Sequence, residues 1–469
     1  MIKNRFMSEK KHIHFMGIGG SALSGVAILA QSCGFKVSGC DLAKKTAYFS
    51  PLLKRGIKPL LGHSKDHLKG VDLLAVSPAV LISSPNHPEI KEAKKRGILM
   101  TWQEFLGKYL QKDKFVIGIA GTHGKSTTTA LIGLSLEIAG LDPTVEIGAI
   151  MPRWQAPVRI GKSKYFVCEA DEFNYNFLNY FPSVIIINNI EMDHPEFFKD
   201  FDHFKGSFKK FIKQIKPPKV LIVNEESKGI QEILEEMEDW LKENKVKVIG
   251  YFIENNFNFP FDLEYQAKIL KMLPSSTIFK VGKEEFNLKL TGKDNVYNAL
   301  GALALGFELK IKTISLRKSF SIFDGLDRRF ELLGEKKGIK VFDDYAVHPR
   351  AVFSTLKVAE QKYPKSRIWA VFEPHQFSRL KLFLEEFTSV LSLADKVIVI
   401  PVFKGREKDK GLVKAEDLAK NIGKKAKYID SFEKIVREIK TEGRNGDLVI
   451  VFGAGKSYLL SRQILKGIG

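Results

Sequence analysis

Runs of unbroken apolar residues recur along this chain, and they are separated by segments with helical spacing. "HIHFM", "VDLLAV", "KFVIGIAG", "KYFVC", "SVIIINN" and "KVLIVN" belong to the first half, and "IKVFDD", "RIWAVF", "KVIVIP" and "DLVIVFG" to the second. An apolar run without alternation suits a strand covered on both faces. Strands of that kind alternating with helices imply parallel sheets with crossover helices, hence an α/β fold. At 469 residues the chain is too long for one core. Three blocks emerge: residues 1–108 with a Rossmann-like glycine turn, 109–325 with a phosphate-binding turn, and 326–469, again Rossmann-like.

Composition narrows the class. The net charge of +20 admits nucleic acid, a membrane surface or anionic small molecules. The lysines, however, are spread along the whole chain, and no aromatic-interleaved RNA-binding motif accompanies them. A lysine-rich solvated surface and anionic substrates are therefore expected, without nucleic acid or membrane. No apolar run approaches the ~20 residues of a membrane span, and "MIKNRFMSEKKHIHF" lacks a signal's apolar segment. Cys33, Cys40 and Cys168 are spaced unlike metal ligands and suggest a reducing, cytoplasmic setting.

The most specific stretch is "GIAGTHGKSTTTA". A strand leading through glycines into a helix gathers unpaired N–H groups and the positive end of the helix dipole, which suits phosphate. Gly121, Thr122, His123 and Gly124 form the turn. Lys125 supplies a positive charge for a terminal phosphoryl group, and Ser126, followed by Thr127, offers a hydroxyl to Mg²⁺. The strict phosphate-loop pattern is missed by one position, since residue 119 is Ile. Two further apolar strands end in metal-competent groups: "KYFVCEADE" in Glu169, Asp171 and Glu172, and "IIINNIEMDH" in Glu191, Asp193 and His194.

The turn and these two strand ends, in this order and spacing, closely resemble the Mur ligases, cytoplasmic ATP-dependent enzymes that build the peptidoglycan stem peptide. "HIHFMGIGGSALSGVA", "KDNVYNALGALAL", "GLDRRFE", "DDYAVHP", "FEPHQFSRL" and "FGAG" extend the resemblance over the whole chain. They favour the branch that adds L-alanine to UDP-N-acetylmuramate. The resemblance implies ATP and Mg²⁺ as cofactors, UDP-N-acetylmuramate, L-alanine and ATP as small-molecule partners, and a monomer or homodimer. It assigns Lys125, Glu169, His194 and Arg329 to catalysis, with Ser126, Glu169 and His194 on the metal. Asn295 would contact adenine, Asp344 would lie with the nucleotide, and Arg329 would reach the γ-phosphate on domain closure.

The opening turn has two readings. Gly17, Gly19 and Ala22, followed by Asp41, satisfy a dinucleotide fingerprint and by themselves suggest a nicotinamide dehydrogenase. The extra Gly20, Ser24 and Gly25 suit a UDP-sugar pyrophosphate, as does the family resemblance. On that reading Ser21, Asp41, His63 and Ser77 join the UDP-sugar pocket. In the third block Tyr345, His348, His375 and Arg379 are expected at the amino acid, because they end strands on a carboxyl edge. The chain departs from the family pattern at Val347, where a second histidine is usual, and at Gln376, where arginine is frequent. Three alternatives stay open: a recycling ligase attaching the tripeptide L-Ala-γ-D-Glu-meso-diaminopimelate, the dehydrogenase, and a non-catalytic nucleotide-binding scaffold.

Overall fold

The structure, a computed structural model, describes residues 11–405 and 407–469. The basic segment at residues 1–10, discussed above for its lack of a signal, lies outside them. The apolar runs form the interior strands. β1 (His12–Met16), β2 (Lys36–Asp41), β3 (Leu60–Leu61), β4 (Leu73–Val76) and β5 (Leu99–Thr101) make a five-stranded sheet of order β3-β2-β1-β4-β5. Every pairing in it is parallel. The strand order reverses between β1 and β4, the crevice where doubly wound sheets hold ligands.

The central sheet comprises β6 (Phe115–Ala120), β7 (Thr144–Met151), β8 (Ala156–Arg159), β9 (Tyr165–Glu169) and β10 (Val184–Ile187). It continues with β11 (Val220–Asn224), β12 (Lys247–Phe252), β13 (Leu263–Leu273), β14 (Ser276–Val281) and β15 (Glu284–Leu288). Its order is β15-β14-β13-β12-β11-β10-β6-β9-β7-β8. The strand feeding the phosphate turn, β6, thus lies between β9 and β10, and both acidic strand ends emerge beside it. The strands that follow β12 form the antiparallel meander β13–β15 at one edge.

The third sheet contains β16 (Glu331–Lys336), β17 (Ile339–Asp344), β18 (Ile368–Phe372), β19 (Lys396–Val399), β20 (Ala426–Tyr428) and β21 (Leu448–Phe452), in the order β16-β17-β21-β18-β19-β20. Only the edge strand β16 runs antiparallel. The architecture is three α/β units with predominantly parallel sheets. No described helix is long and apolar enough to cross a membrane.

The first unit is not packed separately from the second. Helix Ser21–Ser32 lies so close to β8 that a Cβ on Gly25 would come within 2.6 Å of Val158 Cγ1. Phe105, Leu106 and Leu110 share one apolar cluster with Val116, Phe166 and Phe177. Helix Lys293–Glu308 differs from the amphipathic helix that its sequence suggests. Val296, Asn298 and the continuous stretch Ala299–Gly306 are all buried, as in a helix enclosed on most sides. Its N-cap is Gly292, so Asn295 lies inside the first turn rather than capping it.

Candidate active site

A cleft of about 1770 Å³ runs between the three units. At its centre the turn after β6 requires glycine. Gly121 and Gly124 have φ of +126° and +80°, and a Cβ on Gly124 would lie 2.2 Å from Asn298 Oδ1. No L side chain fits that position without displacing its neighbours. Thr122 ties the turn to the loop after β10: its N–H donates to the Asn189 carbonyl, and its hydroxyl donates to the Glu191 carbonyl at 2.8 Å.

Lys125 begins helix Lys125–Ile138 and folds back over the turn. Its ammonium donates to the Gly121 carbonyl at 2.5 Å and to Glu172 Oε2 at 2.9 Å. Burial alone would lower the Lys125 pKa, but Glu172 and Asp171 outweigh it and hold it above the ordinary value. Burial in turn raises the Glu172 carboxyl, against the pull of Lys125. Ser126 accepts a hydrogen bond from Arg329 Nη2 at 3.1 Å. Arg329 therefore meets the phosphate turn.

The metal-competent residues are arranged differently from the expected set. Asp171, Glu172 and His194 each present one ligand atom within 4.8 Å of the others. Glu169 lies outside that group, and its Oε1 accepts the Gly148 N–H at 2.7 Å. Burial works against a charged His194, yet Asp193 and Glu196 keep its pKa raised. Carboxylate oxygens with one imidazole beside a phosphate turn fit a hard divalent cation such as Mg²⁺.

The third unit meets the loop after β10 through several polar contacts. Arg379, 2 % exposed, donates from Nε and Nη2 to Asp193 Oδ1 at 3.0 and 2.7 Å. Its Nη1 lies 2.6 Å from His375 Nδ1 and 3.4 Å from Gln376 Oε1. Burial would raise the Asp193 carboxyl, but Arg379 and His194 hold it well below the usual range. Arg379, expected at the amino acid, is thus paired across the domain junction, which local sequence gave no means to anticipate. Arg350 pairs with Glu191 at 3.2 Å, and the His123 and His348 rings approach to 4.6 Å.

His348 also caps helix Pro349–Lys362, since its Nδ1 accepts the Arg350 N–H. Its Nε2 therefore carries the proton and donates to the Met192 carbonyl at 3.3 Å. Burial lowers its pKa to about 4, so the ring is neutral near pH 7. Capping thus accounts for a histidine at this position. Tyr345 projects into the cleft, with the Arg328 and Arg329 guanidinium groups 5.0 and 5.2 Å from its ring. Val347 lines the same wall. Asp344 accepts from Thr355, Ala346 N–H and Phe330 N–H, which anchors the hinge. His194, Arg328, Phe330 and Gln376, all lining the cleft, have positive φ.

At the first unit, Gly19, Gly20, Ser21 and Ser77 line the cleft, whereas Gly17, Ser24, Asp41 and His63 do not. The N–H groups of Gly17 and Gly20 bond to the Cys40 and Gly17 carbonyls. Ser24 is fully buried and its hydroxyl donates to the Ser21 carbonyl. Asp41 accepts from the Gly19 and Ala43 N–H groups at 2.8 Å each. That arrangement removes the free acid a nicotinamide ribose needs. His63 instead faces Cys40 Sγ at 3.0 Å. The anion-binding groups left are those of the helix's first turn, where Ser21, Ala22 and Leu23 line the cleft.

Asn295 lines the cleft, donating from Nδ2 to the Thr291 carbonyl at 2.9 Å. Nearby, Tyr297 donates to Glu226, and Asn224, Glu226 and Tyr297 form a polar wall that sequence reading missed. Glu146 was missed as well. It is buried in the cleft wall with neither carboxyl oxygen hydrogen-bonded, and burial followed by the nearby Glu169 raises its pKa well above the usual value.

Family profiles described as the Mur ligase family catalytic domain, middle domain and glutamate ligase domain match residues 12–114, 119–306 and 328–455. A UDP-N-acetylmuramate–L-alanine ligase of Alkaliphilus metalliredigens is 36% identical over 462 residues, 97% of each chain. One of the same name from Agathobacter rectalis is 36% identical over 467 residues, 98% of each. Among solved structures, UDP-N-acetylmuramate-alanine ligase MurC of Thermotoga maritima matches with a TM-score of 0.78 at 25% identity, over 97% of this chain and 98% of that one. A murein peptide ligase of Psychrobacter arcticus shares the fold, with a TM-score of 0.75 at 24% identity, over 98% and 99%.

Proposed function

The chain belongs to the Mur ligase family, and from that premise we propose that it joins L-alanine to the muramyl carboxylate of UDP-N-acetylmuramate. ATP is split to ADP and phosphate in this cytoplasmic step of peptidoglycan precursor synthesis. The observation that carries the reading is end-to-end similarity to ligases of that name. The meeting of Arg329 with Ser126 at a lysine-bearing phosphate turn supports it.

The muramyl carboxylate oxygen attacks the γ-phosphorus, and the β–γ bridging oxygen departs with ADP, leaving an acyl phosphate. Lys125 and Arg329 offset the charge that develops on the phosphates. Arriving phosphate competes with Glu172 for Lys125. Mg²⁺, when bound, neutralises β- and γ-phosphate charge. Asp171, Glu172 and His194 would hold it, with Ser126 and Glu169 as the further ligands that the family resemblance implies. The amine of L-alanine then attacks the acyl carbon, and the tetrahedral intermediate expels phosphate. His348 does not take the amine's proton, because its Nδ1 lone pair is used by the cap and its Nε2 already carries a hydrogen. Contacts from Arg350, His348 and Arg379 to the loop after β10 hold the third unit over the phosphate turn.

Isotope transfer tests this route. With both muramyl carboxylate oxygens labelled as ¹⁸O, one label should appear in the released phosphate and one should stay in the amide. Label in AMP, or unlabelled phosphate, refutes the acyl phosphate.

A further inference from the structure

Behind the glycine turn of the first unit, four potential ligands from distant parts of the chain converge: His14 in β1, Cys40 in β2, His67 in the turn Lys65–Leu68, and Glu89 in helix Pro88–Lys95. One ligand atom from each falls within 4.8 Å of all the others. We infer that this cluster is a binding site for a borderline-soft divalent metal ion of the zinc class, separate from the cation site at the phosphate turn.

Hydrogen bonding fixes which atoms face inward. The Gly70 carbonyl only accepts, so His12 Nδ1, 3.1 Å away, carries a proton. The Nε2 of a neutral His12 then accepts from the Ser38 hydroxyl at 2.8 Å. With its one proton committed, Ser38 Oγ accepts from His14 Nδ1 at 2.8 Å. This leaves a lone pair on His14 Nε2, which points at Glu89 Oε1 from 3.3 Å. His67 Nδ1 lies 3.6 Å from the same oxygen, and the Cys40 thiol donates to it with Sγ 3.7 Å away. Both ring nitrogens are buried without a hydrogen-bond partner, and His14 is 0 % exposed. The lone pair of a neutral His14 Nε2 turned toward a carboxylate in a dry interior is repelled unless a cation lies between them.

The spacing suits that cation. Tetrahedral zinc with its usual bond lengths separates nitrogen and oxygen ligands by about 3.3 Å, and sulfur and oxygen ligands by about 3.5 Å. Direct ion-pair hydrogen bonds would be nearer about 2.8 Å. An outer layer is present too: Ser38 on His14, the Ser64 N–H on Glu89 Oε2 at 2.9 Å, and His63 on Cys40. Met16, Leu68, Val76 and Ile90 enclose the group in apolar surface. A thiolate and two imidazoles select against Mg²⁺. Metal entry displaces the Cys40 thiol proton to solvent, so no other reactant is needed. The Cys40 carbonyl also receives the Gly17 and Ile18 N–H groups, so the ion would brace the turn that leads to the UDP-sugar helix. Cysteine spacing alone argued against a metal; the three partners of Cys40 lie too far away in sequence to be seen from it.

The test uses the full chain, stripped with chelator and titrated with Co²⁺ in excess Mg²⁺. One equivalent should bind with intense tetrahedral d–d absorption and a sulfur-to-cobalt charge-transfer band, and Zn²⁺ should displace it. Cys40→Ser should abolish the charge-transfer band. Ser38→Ala, which spares all four ligands, should weaken binding by about 10–100-fold. A wild type without the band, or a band that survives in Cys40→Ser, overturns the assignment.

Discussion

Replacing Lys125 with alanine separates catalysis from folding. The ammonium is held by the Gly121 carbonyl and Glu172, so it is oriented before any phosphate arrives. Losing one preorganised charge partner costs ~3–4 kcal/mol of transition-state stabilisation, or about 10²–10³-fold in kcat. Glu172 would lose its cation, but burial already raises its pKa and Lys125 is the main group opposing that rise. Without Lys125 the balance shifts further toward the neutral carboxyl. The cost to the fold is that of a poorly satisfied buried polar group, about 1–3 kcal/mol, rather than that of a stranded charge, about 3–5 kcal/mol. Coupled ADP release at saturating substrates gives kcat, and circular dichroism with a thermal melt follows the fold. A folded variant with activity within a few-fold of wild type refutes the reasoning.

Arg379→Lys and Asp193→Asn should behave alike, raising the KM for L-alanine while that for ATP barely moves, because each breaks the same two-bond contact at the domain junction. Steady-state kinetics would contradict the shared role if only the arginine variant were impaired. His348→Asn keeps a capping side chain and removes a histidine whose folded pKa, about 4, lies below its unfolded value. Between pH 6.5 and 4 the unfolded chain binds a proton there that the folded one does not. Denaturant titration should therefore show the variant gaining on wild type by up to about 1.4 kcal/mol per pH unit as pH falls through that window. Glu146→Gln has the opposite sign: burial keeps the folded carboxyl protonated, so wild-type stability is lost as pH rises above 4.5, and the amide should pull ahead in pH-dependent melts.

Local chemistry was legible in the sequence wherever neighbours in the chain are neighbours in space. The run of Ile119 through Ser126 encodes a strand, a glycine turn and a helix start within a few residues, and these form as read. The acidic ends of β9 and β10 were also legible, because parallel strands flanking β6 deliver their carboxyl ends to one edge. Contacts between units were not. Arg379 and Asp193 are 186 residues apart, and nothing local distinguishes an arginine awaiting a substrate from one already paired. Asp41 was legible as an acid near a glycine turn, but whether it faces ligand or backbone depends on how closely Gly19 approaches. Ser24 illustrates the same limit: its spacing suggests the turn, yet helix Ser21–Ser32 rotates it inward.

The acceptor is the most direct test of the account. With UDP-N-acetylmuramate and ATP saturating, kcat/KM for amide formation should be measured for L-alanine, glycine, L-serine and L-Ala-γ-D-Glu-meso-diaminopimelate. L-Alanine should rank first, with glycine and L-serine behind it, because one methyl group is worth only ~1–3 kcal/mol of discrimination. A higher value for the tripeptide would contradict the choice of L-alanine and identify a peptide-attaching ligase built on the same phosphate chemistry.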